Sequence, residues 1–189
     1  LILNLSRRVP SALKAIEKNQ WRTDDLRGFS LAGKTLAIVG LGRVGRQVAR
    51  TFKTLGMKVM AYDPYVHDSI FKELGVERQG FAEALVAADI LSLHVPLTKE
   101  THHMINHQTL RLMNSEAFLI NTSRGAVVEE NEVGIAIDEG VIQGAALDVF
   151  VREPLMKESR LRGRNQLLLT PHVGAFTEEA IEQASMAAV

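Results

Sequence analysis

The stretch GKTLAIVGLGRVGRQVAR, residues 33–50, decides the fold of this 189-residue chain. Within it, residues 34–39 are a short apolar run bounded by glycines, which predicts a buried β-strand. The run leads directly into Gly40, and residues 43–55 follow with the pattern of a helix. A strand, a glycine-rich turn and a helix in direct succession are typical of the first unit of a parallel sheet.

The alternation of strands and helices continues along the chain. Further strands are predicted over 57–62, 90–95, 117–120, 143–149 and 166–169, and helices over 69–74, 81–87, 107–113, 129–139 and 178–188. This order predicts an α/β fold, a Rossmann-type doubly wound parallel sheet with helices on both faces. We expect one domain over residues 1–189, with a leading helix and link in 1–33, the Rossmann core in 34–175 and the start of a C-terminal helix in 176–189.

Three residues are expected to set the ends of these helices. Gly75 follows a predicted helix and should end it, because glycine readily adopts the left-handed backbone found there. Asn106 and Thr177 each precede a predicted helix, and their side chains can accept hydrogen bonds from its first N–H groups.

The glycines after the first strand indicate a ligand. Gly40 permits a tight turn, Gly42 lets the backbone approach a pyrophosphate, and Gly45 lets the helix pack closely on the strand. Asp63 follows Gly45 by 18 residues, at the end of the second predicted strand, where a carboxylate can accept hydrogen bonds from an adenosine ribose. Together they predict dinucleotide binding, and the alternative is a glycine-rich turn with Asp63 as a helix cap.

The same aspartate favours NAD over NADP. A carboxylate at Asp63 repels the 2′-phosphate that distinguishes NADP. The sequence also has no Arg or Lys between Asp63 and Lys72 that could bind such a phosphate.

Three further clusters follow predicted strands: NTSRG at 121–125, LDVFVREP at 147–154 and TPHVG at 170–174. Since the carboxyl ends of parallel strands meet at one edge of a sheet, we expect these clusters and the glycine turn to surround one crevice. Arg124 there could bind a substrate carboxylate through two parallel hydrogen bonds, although a surface salt bridge would also explain it.

His172 is the candidate acid or base of this edge. Asp148 or Glu153 lying near it would orient the ring and stabilise its cationic form, whereas either acid could instead be a solvated loop charge. His94 also ends a predicted strand, where hydrogen bonding within the loop by Pro96 explains it as well as chemistry does.

Two other patterns are weaker. Residues 28–35, GFSLAGKT, match a nucleoside-triphosphate P-loop, but they lead into a strand where such a loop should open a helix, so Lys34 is expected to begin the sheet. His102, His103 and His107 suggest a metal site, but Asn106 interrupts the helix that would align them, and we expect no metal.

Composition narrows the classes of partner. The formal net charge is zero and Lys and Arg are not clustered, so we expect neither nucleic acid nor membrane partners. The absence of cysteine suits the cytoplasm, and the apolar runs are too short for a membrane helix. Both ends interrupt helical patterns, which predicts an excised domain.

Seven motifs, in this order and spacing, resemble the NAD-binding domain of the D-isomer-specific 2-hydroxyacid dehydrogenases. They are LSRRVP, GKTLAIVGLGRVG, AYDP, LHVPLTKET, INTSRGAVV, ALDVFVREP and TPHVGAFTEEA. The resemblance implies catalytic roles for Arg124, which would bind the substrate, His172, the general acid/base, and Glu153, its paired carboxylate. The cofactor contacts that it implies, the glycines and Asp63 included, are Gly40, Gly42, Arg43, Val44, Gly45, Asp63, Val95, Pro96, Thr101, Thr122, Ser123, Arg124, Asp148, His172 and Gly174.

The activity implied by the resemblance is hydride transfer between NAD and a small 2-hydroxy or 2-keto acid, usually in a homodimer. Members of the family also carry a substrate domain that this chain lacks, so we expect the chain to be inactive by itself. The alternative is an NADH-sensing binding module, like the transcriptional corepressors that share this fold.

Overall fold

Seven parallel strands form one sheet in the computed structural model, which describes residues 1–187. The strands are β1 (Thr35–Val39), β2 (Lys58–Tyr62), β3 (Glu77–Arg78), β4 (Ile90–Leu93), β5 (Phe118–Asn121), β6 (Gly144–Leu147) and β7 (Leu167–Leu169). Their order across the sheet is β3-β2-β1-β4-β5-β6-β7. The predicted parallel α/β sheet is therefore confirmed.

Helices connect these strands. They are α1 (Ile2–Ser6), α2 (Val9–Glu17), α3 (Arg43–Thr54), α4 (Asp68–Leu74), α5 (Phe81–Ala87), α6 (His107–Leu110), α7 (Glu130–Asp138) and α8 (Glu178–Ala187). None of the helices in the described part of the chain has the length and apolar character needed to span a bilayer.

The sheet is buried on both faces. Leu36 and Ile38 of β1 pack with residues of α3 and α4, whereas Ala37 and Val39 of the same strand pack with residues of α5, α6 and α7. Because successive side chains of a strand point to opposite faces, this division places one helical layer on each side. The doubly wound arrangement agrees with the central strands β4, β5 and β6, which are buried at every position.

The order of the strands reverses at β1. The chain first moves outward from β1 to β2 and β3, and then returns to β4 on the other side of β1. In sheets of this kind ligands bind beyond the carboxyl ends of the two strands at the reversal, which are β1 and β4 here.

The helix ends follow their capping residues. Gly75 ends α4 in the left-handed conformation, with a φ of +58°, as predicted. The side chain of Asn106 accepts hydrogen bonds from the backbone of Gln108 and Thr109, which confirms it as the cap of α6. Thr177 Oγ1 accepts one from the backbone N–H of Ala180, 3.2 Å away, at the start of α8.

Several elements differ from the prediction, and strands β4 and β6 each end two residues earlier than predicted, at Leu93 and Leu147. The leading helix is two helices, because Arg8 between them has a φ of +50°, which a continuous helix does not allow. Strand β3 was not predicted, since its two residues, Glu77 and Arg78, are exposed and show no apolar alternation. The helix predicted over 107–113 ends at Leu110. Ala188, the last residue of the predicted final helix, lies outside the described residues.

Candidate functional site

Two glycines of the turn after β1 are required by the fold itself. Gly40 has a φ of +94°, and a Cβ added to it would lie 2.6 Å from the carbonyl oxygen of His94. A Cβ on Gly45 would lie 2.1 Å from the carbonyl oxygen of Gly40, so a side chain would push α3 away from the turn. The tight turn and the close helix packing predicted for these two glycines are both present.

Gly42 differs from its neighbours. A Cβ added there would meet no atom within 4 Å, and its φ of −71° suits any residue. It directly precedes α3, and the first N–H groups of a helix have no partner within the helix and favour an anion. Arg43 and Val44 are exposed at the same place. This open cradle fits a dinucleotide pyrophosphate.

Asp63 ties the glycine turn to the end of β2. Its Oδ2 accepts a hydrogen bond from the backbone N–H of Leu41 at 2.8 Å, and its Oδ1 accepts from those of Tyr65 and Val66 at 2.9 and 3.2 Å. The helix-cap alternative is wrong, because His67 caps the next helix. The carboxylate lies at the edge where a ribose would be bound.

Arg78 was missed at this edge. It belongs to β3, beside β2, and its Nη2 lies 3.5 Å from the carbonyl oxygen of Asp63. No Arg or Lys lies between Asp63 and Lys72 in the sequence, but the fold brings the guanidinium of Arg78 to this edge, where it is paired with Asp68.

The loop after β4 forms the middle of the crevice. Val95 lies against the glycine turn, since its Cγ1 would be 2.9 Å from a Cβ on Gly40. Thr101 Oγ1 donates a hydrogen bond of 2.6 Å to the carbonyl oxygen of Pro96 and so closes the loop. This contact gives Thr101 a structural function beside the cofactor contact implied for it.

His94 serves the sheet. Its Nε2 lies 2.9 Å from Ser92 Oγ, and desolvation lowers the pKa of the partly buried ring to about 4. The ring is therefore neutral near pH 7, and its contact is with its own strand. The hydrogen bond predicted within the loop by Pro96 is replaced by this contact with Ser92.

Asn121 shapes the turn that presents Arg124. Its Oδ1 accepts hydrogen bonds from the backbone N–H and the hydroxyl of Ser123, and its Nδ2 donates one of 2.9 Å to the carbonyl oxygen of Arg124. Asn121 belongs to the predicted cluster at residues 121–125, but its role in shaping this turn was not predicted. Thr122 is partly buried in the same turn.

The Arg124 side chain is exposed, and its Nη1 donates a hydrogen bond of 2.6 Å to the carbonyl oxygen of Ser123. Among residues 1–187, the ion pairs of the structure do not include Arg124, so the surface salt bridge considered for it is not seen there. The guanidinium retains other N–H groups that could donate to a carboxylate.

Asp148 is buried, with 2% of its surface exposed, and it holds the loop that carries His172. Its Oδ1 accepts hydrogen bonds from Thr170 Oγ1 at 2.5 Å and from the backbone of Val173 at 2.9 Å, and its Oδ2 accepts from the backbone of Gly174 at 2.8 Å. The alternative of a solvated loop charge is therefore wrong for Asp148.

Glu153 and His172 form a hydrogen-bonded pair. His172 Nδ1 lies 2.8 Å from Glu153 Oε2, and Glu153 Oε1 accepts from the backbone of Phe150 at 3.0 Å. The hydrogen bond from His172, followed by that from Phe150, holds the pKa of Glu153 below its ordinary value. Beside the pair lies a groove of about 550 Å³, lined in part by Pro154 and Leu169.

The loops bearing Arg124 and Glu153 touch directly. A Cβ on Gly125 would lie 2.0 Å from the carbonyl carbon of Phe150, so the two backbones are in contact with no side chain between them. Glu130 adds a second link, because its Oε1 accepts a hydrogen bond from the backbone N–H of Val151. Burial, and then repulsion by Glu153, raise the pKa of Glu130. Glu130 was not predicted.

The weaker motifs lie elsewhere. Lys34 precedes β1 and its Nζ contacts Asp89 Oδ1 at 3.0 Å, so residues 28–35 lead into the sheet, as expected. His107 Nδ1 lies 3.0 Å from Glu132 Oε2. Within the described residues, no group of three or more His, Cys, Asp or Glu side chains is placed to hold a metal ion.

Comparison with known proteins supports this geometry. The sequence model of the family described as D-isomer specific 2-hydroxyacid dehydrogenase, NAD binding domain, matches residues 1–174. The chain is 42% identical over 189 residues to a glyoxylate reductase of Thermococcus litoralis, covering 96% of this chain and 57% of that protein. It is also 42% identical over 182 residues to a chloroplastic D-3-phosphoglycerate dehydrogenase of Arabidopsis thaliana, covering 96% of this chain and 29% of that protein.

A solved structure of a third dehydrogenase has the same fold over nearly the whole chain. The D-lactate dehydrogenase of Aquifex aeolicus, complexed with NAD and lactic acid, superposes with a TM-score of 0.90 at 32% identity. The alignment covers 99% of this chain and 61% of that one. The chain therefore spans about a third to three fifths of the length of these three proteins.

Proposed function

The chain belongs to the D-isomer specific 2-hydroxyacid dehydrogenase family, of which it is the NAD-binding domain, and we propose that it serves a protein that interconverts a D-2-hydroxy acid and its 2-keto acid. The observation that carries this proposal is the Glu153–His172 hydrogen bond of 2.8 Å at the same sheet edge as the open cradle of Gly42. An acid/base pair next to a dinucleotide site suits hydride transfer coupled to proton transfer.

The cofactor would lie along the crevice. The start of α3, with Gly42, Arg43 and Val44, would bind its pyrophosphate, and Asp63 would bind its adenosine ribose. The remaining predicted contacts, Val95, Pro96, Thr101, Thr122, Ser123, Asp148 and Gly174, follow β4, β5, β6 and β7 along the same edge. NAD, when bound, supplies the acceptor for the hydride that leaves C2 of the hydroxy acid.

His172 would handle the proton of the reaction. Its Nδ1 faces Glu153, which leaves Nε2 as the nitrogen that can accept the proton of the substrate hydroxyl. The Glu153 carboxylate then stabilises the imidazolium, and in the reverse direction the ring returns the proton to the carbonyl oxygen. Arg124 would hold the substrate carboxylate through its guanidinium.

The domain organisation is part of the proposal. We propose that residues 1–189 form one NAD-binding domain and that the substrate domain is encoded outside this sequence. The greater length of the matched relatives supports this division. The residues that select the substrate side chain would then lie mostly outside this sequence.

We also propose that the protein is a homodimer. Leu13, Ile16 and Trp21 are apolar and 63%, 56% and 76% exposed, which is consistent with a surface that a second copy covers. Analytical ultracentrifugation should give the mass of two chains, and a single-chain mass would contradict the proposal. The cytoplasmic location and the lack of nucleic acid or membrane partners stay predictions.

The test of the activity uses the longer protein with a panel of 2-keto acids. His172→Ala should lower turnover with NADH by about a hundredfold or more, the range that general acid/base groups contribute. His107→Ala is the matched control, because His107 also pairs with a glutamate, at 3.0 Å, away from the site. Equal turnover of the two variants would contradict the assignment. NADH binding without reduction of any keto acid would favour the NADH-sensing module.

A further inference from the structure

We propose that Asp68 and Arg78 form a second determinant of the preference for NAD over NADP. In this proposal Asp68 forms an ion pair with the guanidinium of Arg78, which would otherwise bind the ribose 2′-phosphate of NADP. The inference rests on the proposed dinucleotide site at Asp63, which directly follows β2, and adds to it two residues from α4 and β3.

The register of the sheet fixes the position of Arg78. Strand β3 pairs in parallel with β2, with Arg78 opposite Ala61, two residues before Asp63. The Nη2 atom of Arg78 reaches the carbonyl oxygen of Asp63 at 3.5 Å. The guanidinium therefore lies at the end of β2, where the ribose of a bound dinucleotide is expected.

Two contacts hold the guanidinium where it is. Its Nη1 donates a hydrogen bond to Asp68 Oδ1, at the start of α4. Its Cζ lies 5.2 Å from the centre of the Phe71 ring, and Phe71 is only 3% exposed. Phe71 supports the guanidinium in a fixed place, and Asp68 takes up one of its donors.

The charges explain the expected discrimination. Asp63 and Asp68 bring two negative charges to this edge, and Arg78 brings one positive charge, with Lys72 close enough to Asp68 to stabilise its charged form. A 2′-phosphate would meet this carboxylate pair and an arginine that is already bonded. Without the Asp68 charge, the Arg78 fork could make bidentate hydrogen bonds to a phosphate, an arrangement that arginine favours.

The test compares Asp68→Asn with the parent chain by measuring the dissociation constants of NADH and NADPH from cofactor fluorescence. We expect NADPH to bind about tenfold more tightly to the variant, because a charge-assisted phosphate contact replaces a repulsion, while NADH changes by less than about twofold. Adding Arg78→Gln to Asp68→Asn should abolish the gain. The fold should persist, since exposed ion pairs contribute little to stability.

Asp138→Asn is the matched control. It breaks an ion pair with Arg164 whose aspartate is about as exposed as Asp68 and which lies away from the Asp63 edge, so it should change neither constant. An unchanged NADPH affinity in Asp68→Asn, or a gain that survives Arg78→Gln, would overturn the inference while NADH binding to the parent remained intact. Failure of the parent to bind NADH would instead overturn the proposed function and this inference with it.

Discussion

Replacing Gly125 by alanine should strongly destabilise the protein. The added Cβ would lie 2.0 and 2.3 Å from the carbonyl carbon and oxygen of Phe150 and 2.4 Å from the nitrogen of Val151. All three are backbone atoms, so no rotation of a side chain can relieve the overlap. The backbone at residue 125 must therefore move away from the backbone of Phe150 and Val151, which separates the loops that carry Arg124 and Glu153.

The magnitude follows from overpacking in protein cores, which costs about 1–3 kcal/mol when side chains and backbone can partly adjust. Because the Gly125 contacts are entirely backbone, we expect at least the upper end, about 3 kcal/mol. In a domain of this size that corresponds to a melting temperature lower by about 6–12 °C. Urea titration and thermal unfolding followed by circular dichroism would measure both quantities.

Gly134→Ala is the matched control, since Gly134 is also buried and lies only nine residues further on, within α7. A Cβ there would meet its nearest atom, Arg164 Cζ, at an ordinary 3.7 Å. Alanine also favours a helix over glycine by about 1 kcal/mol, so this variant should be as stable as the parent or more stable. If Gly125→Ala unfolded at the same urea concentration as Gly134→Ala, the close backbone contact at Gly125 would be refuted.

Three further predictions concern titratable groups. The pKa of His94 is lowered from 6.5 to about 4, so as the pH falls the unfolded chain binds this proton before the folded chain does. The free energy of unfolding should therefore fall by about 3 kcal/mol as the pH is lowered between these two values. His94→Gln should flatten this dependence in urea titrations. Asp148→Asn should lower the stability measured by thermal unfolding by about 2 kcal/mol, because one carboxylate oxygen of this buried side chain becomes an NH₂ group that faces hydrogen-bond donors, whereas Asp138→Asn should not. The pKa of Glu153 is lowered in the folded protein. The stability that its carboxylate contributes is therefore present above the pKa of the unfolded chain and is lost as the pH falls through the pKa of the folded state. In His172→Ala, NMR titration of the carboxyl should show a higher Glu153 pKa.

The strands and the functional edge could be predicted because they depend on local pattern. Apolar runs ended by Gly40, Asn121 and Asp148 fix where each strand stops, and parallel pairing then brings those ends together. The strand ends alone leave both Asp148 and Glu153 open as partners of His172, and the resemblance to the dehydrogenase family implies Glu153, which lies 2.8 Å from the ring.

The contacts that were missed depend on register and burial. Arg78 reaches Asp63 only because a two-residue strand pairs beside β2, and nothing in a two-residue exposed strand signals this. Glu130 reaches Val151 because two backbones touch at Gly125, a distance that no sequence pattern encodes. Arg8 breaks the leading helix through its backbone angle, which residue type alone does not dictate.

The open space at Gly42 separates two kinds of constraint on the same turn. Libraries selected for stability alone should retain glycine at 40 and 45, where the fold leaves no room, and should accept many residues at 42, where it leaves 4 Å free. Libraries selected for retention on an immobilised nicotinamide cofactor should lose that tolerance. A preference for glycine at position 42 would then be due to the bound cofactor alone, since folding does not require glycine there.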